Sequence, residues 1–162
     1  MKAMEPSLKE RVQRNIPLLC DAVTILGVPV LVTEQYPQGL GRSIPEIRER
    51  LQGAPIEKIV FSCCQEKKFM SALEALRRQA LVLTGVETHV CVLQTCLDLL
   101  SRGYTVHVVK DGVASRRRED WETGLAFMER AGAWITTAET VIFQLLGRAG
   151  TEEFKKISRL VK

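Results

Sequence analysis

The 162-residue chain lacks several features that would place it outside the class of ordinary globular proteins. It has no apolar run of membrane-spanning length, and its N-terminus lacks the pattern of a signal peptide. It also shows no internal repeat, no low-complexity segment and no linker. We therefore expect a cytoplasmic protein that does not bind membranes and that forms a single domain over residues 1–162.

The cysteines lack the paired spacing of a zinc site or of a disulfide framework. There are five, an odd number: Cys20, Cys63, Cys64, Cys91 and Cys96. Reduced thiols are therefore expected, with neither a metal nor a cofactor. The chain also lacks a strong charge, since its net charge is only +4. We interpret the one basic cluster, Arg116–Arg118, as a solvated loop or helix start, and we expect no nucleic-acid partner.

Helical and strand-like segments alternate along the chain. Residues 7–26 carry apolar side chains at helical spacing, and Gly27 ends that pattern. Further helices are predicted over residues 45–51, 66–78, 118–131, 138–146 and 151–160. Strands are predicted at Val28–Thr33, Lys58–Phe61, Leu81–Thr84, Tyr104–Val109 and Ala133–Thr136. This alternation predicts an α/β fold with three layers, an open parallel sheet between two layers of helices.

Cys91 follows one of these strands at a point where chemistry is expected. Gly85 breaks the strand, and from Val90 onward the apolar residues fall at helical spacing. A thiol in the first turn of a helix lies near the positive end of the helix dipole, which favours the thiolate. Free backbone N–H groups of the same turn would hydrogen-bond an oxyanion formed on a carbonyl substrate. Burial of Cys91 as a purely structural residue is the alternative.

The segment Gly85–Cys91 resembles the nucleophile motif of the isochorismatase-like cysteine hydrolases. That motif reads Gly, an aliphatic residue, any residue, Thr, two variable residues and the nucleophilic Cys. Residues 32–41 are similar to a loop in the branch typified by isochorismatase domain-containing protein 2. Residues 58–62 resemble the segment with the catalytic Lys of the family, and residues 104–115 its next strand. The resemblance extends over nearly the whole chain.

The resemblance implies a Rossmann-like fold, assembly as a homo-oligomer and hydrolysis of a small amide, ester or related substrate. It assigns Cys91 as the nucleophile and Lys58 as its catalytic partner. It also implies a cis peptide bond between residues 86 and 87, within an oxyanion loop. The substrate and oxyanion-loop residues would be Glu34, Tyr36, Val86, Glu87, Thr88 and Val90.

One departure from the family pattern affects the expected mechanism. The family begins with a central strand that ends in the Asp of an Asp-Lys-Cys triad, and this chain starts with the segment that matches the next helix. We therefore expect the first central strand to be missing, with weak or no hydrolysis by the chain as it stands. Glu34 is the only carboxylate considered as a substitute. The alternative function is a non-catalytic binding or assembly module.

The missing strand also leads to a structural expectation. In the family it lies between the strands that match Val28–Thr33 and Leu81–Thr84. These two runs should therefore either pair with each other or be separated by a gap.

Two other residues have competing interpretations. Lys58 follows Glu57 directly, so an ion pair at the surface is the alternative to catalysis. Asp111 follows a predicted strand, and we expect it to accept backbone hydrogen bonds rather than act as an acid.

Overall fold

The computed structural model describes residues 4–50 and 53–162. Strands and helices alternate in it, as the sequence predicts. In chain order the elements are α1 (Pro6–Ile25), β1 (Thr33–Gln35), α2 (Pro37–Leu40), α3 (Pro45–Arg48), β2 (Ile56–Lys58), α4 (Lys67–Ala75), β3 (Ala80–Val86), α5 (Leu93–Ser101), β4 (Thr105–Ala114), α6 (Arg118–Arg130), β5 (Trp134–Thr136), α7 (Ala138–Leu146) and α8 (Glu152–Leu160). A 3₁₀ turn at Cys63–Gln65 precedes α4, and a π-helical turn at Thr88–Val92 precedes α5.

Helix α1 starts and ends where its sequence requires. The Glu5 carboxylate accepts a hydrogen bond from the Leu8 N–H, and Pro6 occupies the first helical position, where its missing N–H costs nothing. Gly27 adopts a φ of 65° just beyond the helix, a left-handed conformation that glycine tolerates. The prediction of a helix over residues 7–26 is confirmed to within one residue at each end.

The fold is α/β, with parallel strands and helices on both sides. One face of β3–β5 packs on α4, α5 and α6 through Leu73, Leu99 and Met128, which are almost fully buried. Residues of α1, α7 and α8 form a second apolar cluster with Val109 of β4. This arrangement confirms the three layers.

The parallel strands form two separate sheets, which is one of the two outcomes expected from the missing strand. Strands β1 and β2 pair only with each other, and the second sheet has the order β3-β4-β5. The run Val28–Val32 lies in no strand, and the first residue paired in β1 is Thr33. Among the described strands nothing joins this run to β3, so the expected gap is present.

Other boundaries shift for local reasons. Strand β2 ends at Lys58 and does not extend to Phe61, because the carbonyls of Val60 and Phe61 turn to accept hydrogen bonds from the Lys58 ammonium. Strand β4 extends to Ala114, since a register shift lets Gly85 and Val86 pair with its second half.

Helix α2 lies in a region for which no helix is predicted from the sequence. The helix predicted over residues 45–51 is observed as Pro45–Arg48, and its predicted end lies outside the described residues. No described helix combines the length and the apolar character needed to span a membrane.

Candidate functional site

Lys58 is a buried cation at the end of β2. Its side chain is only 4% exposed. The ammonium donates to the Gln35 side-chain oxygen at 2.5 Å and to the carbonyls of Val60 and Phe61 at 3.1 and 2.8 Å. The ion pair with Glu57 considered from the sequence does not form, because Arg42 binds the Glu57 carboxylate at 3.2 Å. Lys58 is thus directed into the protein and is held by three neutral oxygens.

Gln35 joins Lys58 to the thiol of Cys91. Gln35 was not among the site residues predicted from the sequence. Its Oε1 accepts from the Lys58 ammonium and lies 3.8 Å from the Cys91 sulfur. Parallel pairing places Gln35 directly opposite Lys58, whereas Glu34 is opposite Glu57. The sequence could have indicated that Gln35 and Glu34 have different partners, since residues 34 and 35 of a strand must point to opposite faces.

Cys91 lies in the π-helical turn that leads into α5, so the predicted strand–loop–helix position is observed in outline. The thiol is half-buried. Burial raises the pKa of Cys91 above the ordinary thiol value, and the Lys58 charge opposes this shift without reversing it. The expectation that Cys91 favours the thiolate is therefore wrong for the resting site, because desolvation affects the pKa of Cys91 more than the Lys58 charge does.

The loop from Val86 to Val90 surrounds the thiol. The Val86–Glu87 peptide bond is cis, as the resemblance implies. The Glu87 carboxylate binds Arg116 at 2.9 Å. Val86 is exposed at the rim, Val90 is half-buried, and Thr88 is fully buried with a hydroxyl that has no hydrogen-bond partner.

The backbone of this loop forms hydrogen bonds within the loop itself. The N–H groups of Val90 and Val92 both donate to the Glu87 carbonyl at 3.2 Å. These two donors are therefore occupied in the resting loop.

Helix α6 supports the loop from behind through a glycine. A Cβ added at Gly124 would approach the backbone Cα and N of His89 to 3.2 and 3.3 Å and the Thr88 methyl group to 3.2 Å. The His89 ring is held at the same place, since its Nδ1 lies 2.9 Å from the buried Ser115 hydroxyl. At Gly124, helix α6 and the loop thus pack with their backbones in close contact.

Glu34 and Tyr36 lie beside the site and do not contact the thiol. The buried Glu34 carboxylate accepts from the Ser43 N–H at 2.8 Å and from Arg42 at 3.3 Å. With its oxygens in these bonds, Glu34 fixes the loop after β1 and does not replace a base next to Cys91. Tyr36 is half-exposed in a left-handed conformation, and its ring lies over Gly39, where a Cβ would collide with it.

Asp111 has the bracing role expected of it. Its carboxylate accepts from the Ala138 N–H at 2.9 Å and so fixes the start of α7 to the end of β4. Of the remaining cysteines, Cys20, Cys64 and Cys96 are buried, and burial raises the pKa of Cys64 and Cys96 to about 11. Within residues 4–50 and 53–162, no three His, Cys, Asp or Glu side chains gather closely enough to hold a metal ion.

A thiol, a buried ammonium and a bridging amide can bind and polarise a small polar group. The amide of Gln35 accepts hydrogen bonds and, unlike a carboxylate, does not take up a proton at neutral pH. Lys58 and Cys91 therefore supply a positive charge and a nucleophile, and their shared hydrogen-bond partner is a neutral amide.

Known proteins resemble this chain over most of its length. Residues 3–140 match the isochorismatase domain. A secreted isochorismatase effector, Isc1 of Phytophthora sojae, is 44% identical over 149 residues, which are 89% of this chain and 71% of that protein. The bovine isochorismatase domain-containing protein 2 is 45% identical over 140 residues, 85% of this chain and 67% of the relative.

The solved structures include one at comparable identity. The MAR1 ribonuclease of Caenorhabditis elegans is 42% identical with a TM-score of 0.88, and the match covers 94% of this chain and 79% of that one.

Proposed function

Since the chain belongs to the isochorismatase domain family, we propose that it carries the thiol site of a cysteine hydrolase acting on a small amide, ester or related substrate. One observation supports this most strongly: Gln35 holds the Cys91 thiol and the buried Lys58 ammonium on the same oxygen. A structural cysteine and a surface lysine would have no reason to share a partner. Family membership establishes hydrolase-type chemistry only in general, so the residue roles are part of the proposal.

The proposed reaction begins when the Cys91 sulfur attacks the substrate carbonyl carbon. A C–S bond forms while the carbonyl π electrons move to oxygen, and collapse of this intermediate expels the amine or alcohol, which takes up a proton. Water then attacks the thioester, releases the carboxylic acid and returns the proton to the thiol. Lys58 stabilises the thiolate, and the loop of Val86, Glu87, Thr88 and Val90 surrounds the oxyanion.

The neutral amide of Gln35, and not a carboxylate, is the group that contacts both Lys58 and Cys91 here. We therefore expect weak turnover from the chain as it stands. The alternative proposal, a binding module without catalysis, rests on the same neutral amide.

Gln35→Glu tests both proposals because it places a proton acceptor between the two groups. We expect hydrolysis of activated esters and small amides to rise at least about tenfold, which is below the roughly 10²–10⁴-fold contributed by a well-positioned general base. The matched control is the double variant Gln35→Glu, Cys91→Ser, which should lose the gain.

The pattern of outcomes separates the two proposals. If Cys91→Ser loses activity and Gln35→Glu gains none, the result would support Cys91 as the nucleophile and reject a carboxylate at position 35 as its proton acceptor. If Cys91→Ser hydrolyses the substrates as fast as the unchanged chain, the proposal of a cysteine hydrolase would be rejected. The panel includes a labelled RNA, because a 42% identical protein is named a ribonuclease. RNA cleavage that is lost in Cys91→Ser would replace the small-molecule substrate in this proposal.

A further inference from the structure

The turn after β2 supplies two of the three acceptors of the Lys58 ammonium. The carbonyls of Val60 and Phe61 accept from it at 3.1 and 2.8 Å, and the third acceptor is the Gln35 side chain. An ammonium has three N–H donors, so these three bonds complete its hydrogen bonding. The position of the Lys58 charge relative to Cys91 therefore depends on the position of this turn.

Neither strand pairing nor apolar packing fixes this turn in place. Strand β2 ends at Lys58, and residues 59–62 lie in no strand or helix. The side chains of Ile59 and Phe61 are 79% and 52% exposed, so they bury little apolar surface that could hold the turn. Its position therefore depends on polar contacts.

Two hydrogen bonds join the end of the turn to helix α5. The Ser62 hydroxyl donates to the Asp98 carboxylate at 2.6 Å, and the Cys63 N–H donates to the Thr95 hydroxyl at 3.0 Å. Ser62 and Thr95 are both buried. An O–H···O⁻ bond of this length is charge-assisted, and such bonds are roughly twice as strong as neutral ones. These two contacts are here called the α5 clamp.

The clamp and the thiol belong to one continuous helical segment. Thr95 and Asp98 are three residues apart, which places them on one face of α5. Cys91 lies in the π-helical turn that leads directly into α5. Cys91 and Lys58 are thus connected by two routes, one through Gln35 and the other through α5, the clamp and the turn after β2. This closed ring of contacts fixes the charge relative to the thiol more firmly than the Gln35 contact alone would.

We propose that Ser62, Thr95 and Asp98 are positioning residues of the thiol site. By fixing the turn after β2, they keep the Lys58 ammonium where its charge stabilises a thiolate at Cys91. They act through Lys58 and are not themselves catalytic. This inference deepens the proposed function and rests on its assignment of Lys58 as the partner of Cys91.

The test measures how fast Cys91 of the full chain reacts with iodoacetamide at a series of pH values, by mass mapping after brief labelling. The midpoint of this profile reports the pKa of the Cys91 thiol, and the plateau reports access to the sulfur. Burial raises that pKa and the Lys58 charge lowers it. Ser62→Ala should therefore move the midpoint to higher pH by about half a pKa unit or more, which slows labelling below the midpoint about threefold. Ser62→Thr, which keeps the hydroxyl, should restore the midpoint.

Asp98→Asn separates positioning from the charge of Asp98 itself. Loss of a negative charge would by itself lower the pKa of Cys91, whereas loss of the charge-assisted bond to Ser62 would raise it through Lys58. We expect the midpoint to move to higher pH, and this variant decides the outcome if Ser62→Ala does not fold. Thr151→Ala, which removes the hydroxyl that caps α8, is the control for a general loss of stability and should leave the midpoint unchanged.

A double variant identifies the route of the effect. With Lys58→Met in place, Ser62→Ala should not move the midpoint further, since the cation on which the clamp acts is absent. Equal shifts with and without Lys58 would overturn the proposal, as would an unchanged midpoint in Ser62→Ala or a midpoint at lower pH in Asp98→Asn.

Alkylation requires no hydrolysis, so the clamp and the hydrolase are tested separately. The expected shifts in a chain that hydrolyses no substrate would support the clamp and reject only the hydrolase. An unchanged midpoint in Lys58→Met would reject the role of Lys58 in the proposed function, and the clamp with it.

Discussion

Gln35 determines what the Cys91 thiol can do in the resting site. Its oxygen lies 3.8 Å from the sulfur and accepts from the Lys58 ammonium, so the two groups share a neutral acceptor. Burial raises the pKa of Cys91 while Lys58 lowers it, and burial has the larger effect. The thiol is thus held in position but mainly protonated at neutral pH, which is consistent with the weak activity expected of the native chain.

The difference in burial among the cysteines predicts an order of alkylation. Cys91 should react with iodoacetamide before Cys64 and Cys96, whose pKa values are about 11 and whose side chains are buried. Because the pKa of Cys91 is raised, its rate should increase steadily as the pH is raised from 7 toward 9. Mass mapping after brief labelling measures this order. Lys58→Met should slow the reaction of Cys91 at each pH, since loss of the cation raises the thiol pKa further.

Cys63 provides the internal comparison for that experiment. It is also half-buried, and its sulfur lies 3.6 Å from the Thr33 hydroxyl. Faster labelling of Cys63 or Cys64 than of Cys91 would contradict the assignment of the nucleophile.

The buried hydroxyl of Thr88 leads to a stability prediction. It has no hydrogen-bond partner, and a buried unsatisfied polar group costs about 1–3 kcal/mol. Thr88→Val should therefore raise the free energy of unfolding by roughly 1 kcal/mol, as measured by urea denaturation. The matched control is Thr95→Val, because the Thr95 hydroxyl accepts from the Cys63 N–H at 3.0 Å. That control should destabilise the protein, and equal effects of the two changes would contradict the interpretation of Thr88.

At the scale of secondary-structure elements, the position of the site loop depends on what packs behind it. The loop follows β3 and is supported by α6 at Gly124, whose missing side chain allows the helix to approach the His89 backbone. A helix packed this closely on a loop restricts the conformation of the loop more than the turns within the loop do. The backbone conformation around Cys91 thus depends on two segments that are distant in sequence, the loop after β3 and helix α6.

Gly124→Ala tests that contact. Alanine favours a helix by about 1 kcal/mol over glycine, but overpacking against backbone costs about 1–3 kcal/mol. We expect a net destabilisation of roughly 1 kcal/mol, together with a changed alkylation rate at Cys91. Thr123→Ala is the control, since residue 123 is exposed on the same helix. A stabilised Gly124→Ala with an unchanged rate at Cys91 would show that the helix does not position the loop.

At the scale of the whole molecule, apolar side chains remain exposed around the rim of the site. Leu40 in α2 is 73% exposed and Ile59 after β2 is 79% exposed, and Tyr36 and Phe61 lie close to them in sequence. Apolar groups of this size at a rim are typical of surfaces that become covered by another chain. Assembly of the chain as a homo-oligomer, as the family resemblance implies, remains a prediction.

Ile59→Asp tests whether the rim is the surface between copies. If the chain assembles, this charge should lower the mass measured by light scattering at a fixed concentration, because it would be desolvated in the interface. Phe127→Asp, at an exposed position on α6, should leave the mass unchanged. A monomer for the native chain would show that the oligomer prediction is wrong.

The sequence by itself determined the order and type of most elements and the approximate position of the thiol. Helical spacing is a local property, and capping residues such as Glu5 and Thr151 mark helix starts within a few residues of chain. The motif at Gly85–Cys91 and the lysine at position 58 were likewise readable as short patterns. The isochorismatase family was recognised on the same residues.

Only the tertiary structure decided which groups meet and which strands pair. The register of β1 against β2 assigned Gln35 to Lys58 and turned Glu34 toward Arg42, a choice that depends on a contact between distant segments. Desolvation of Cys91 depends on the packing of all its neighbours, so its raised pKa was not readable from the helix start. The gap between Val28–Val32 and β3 was decided in the same way, because an apolar run forms a strand only where a partner supplies the other half of its hydrogen bonds.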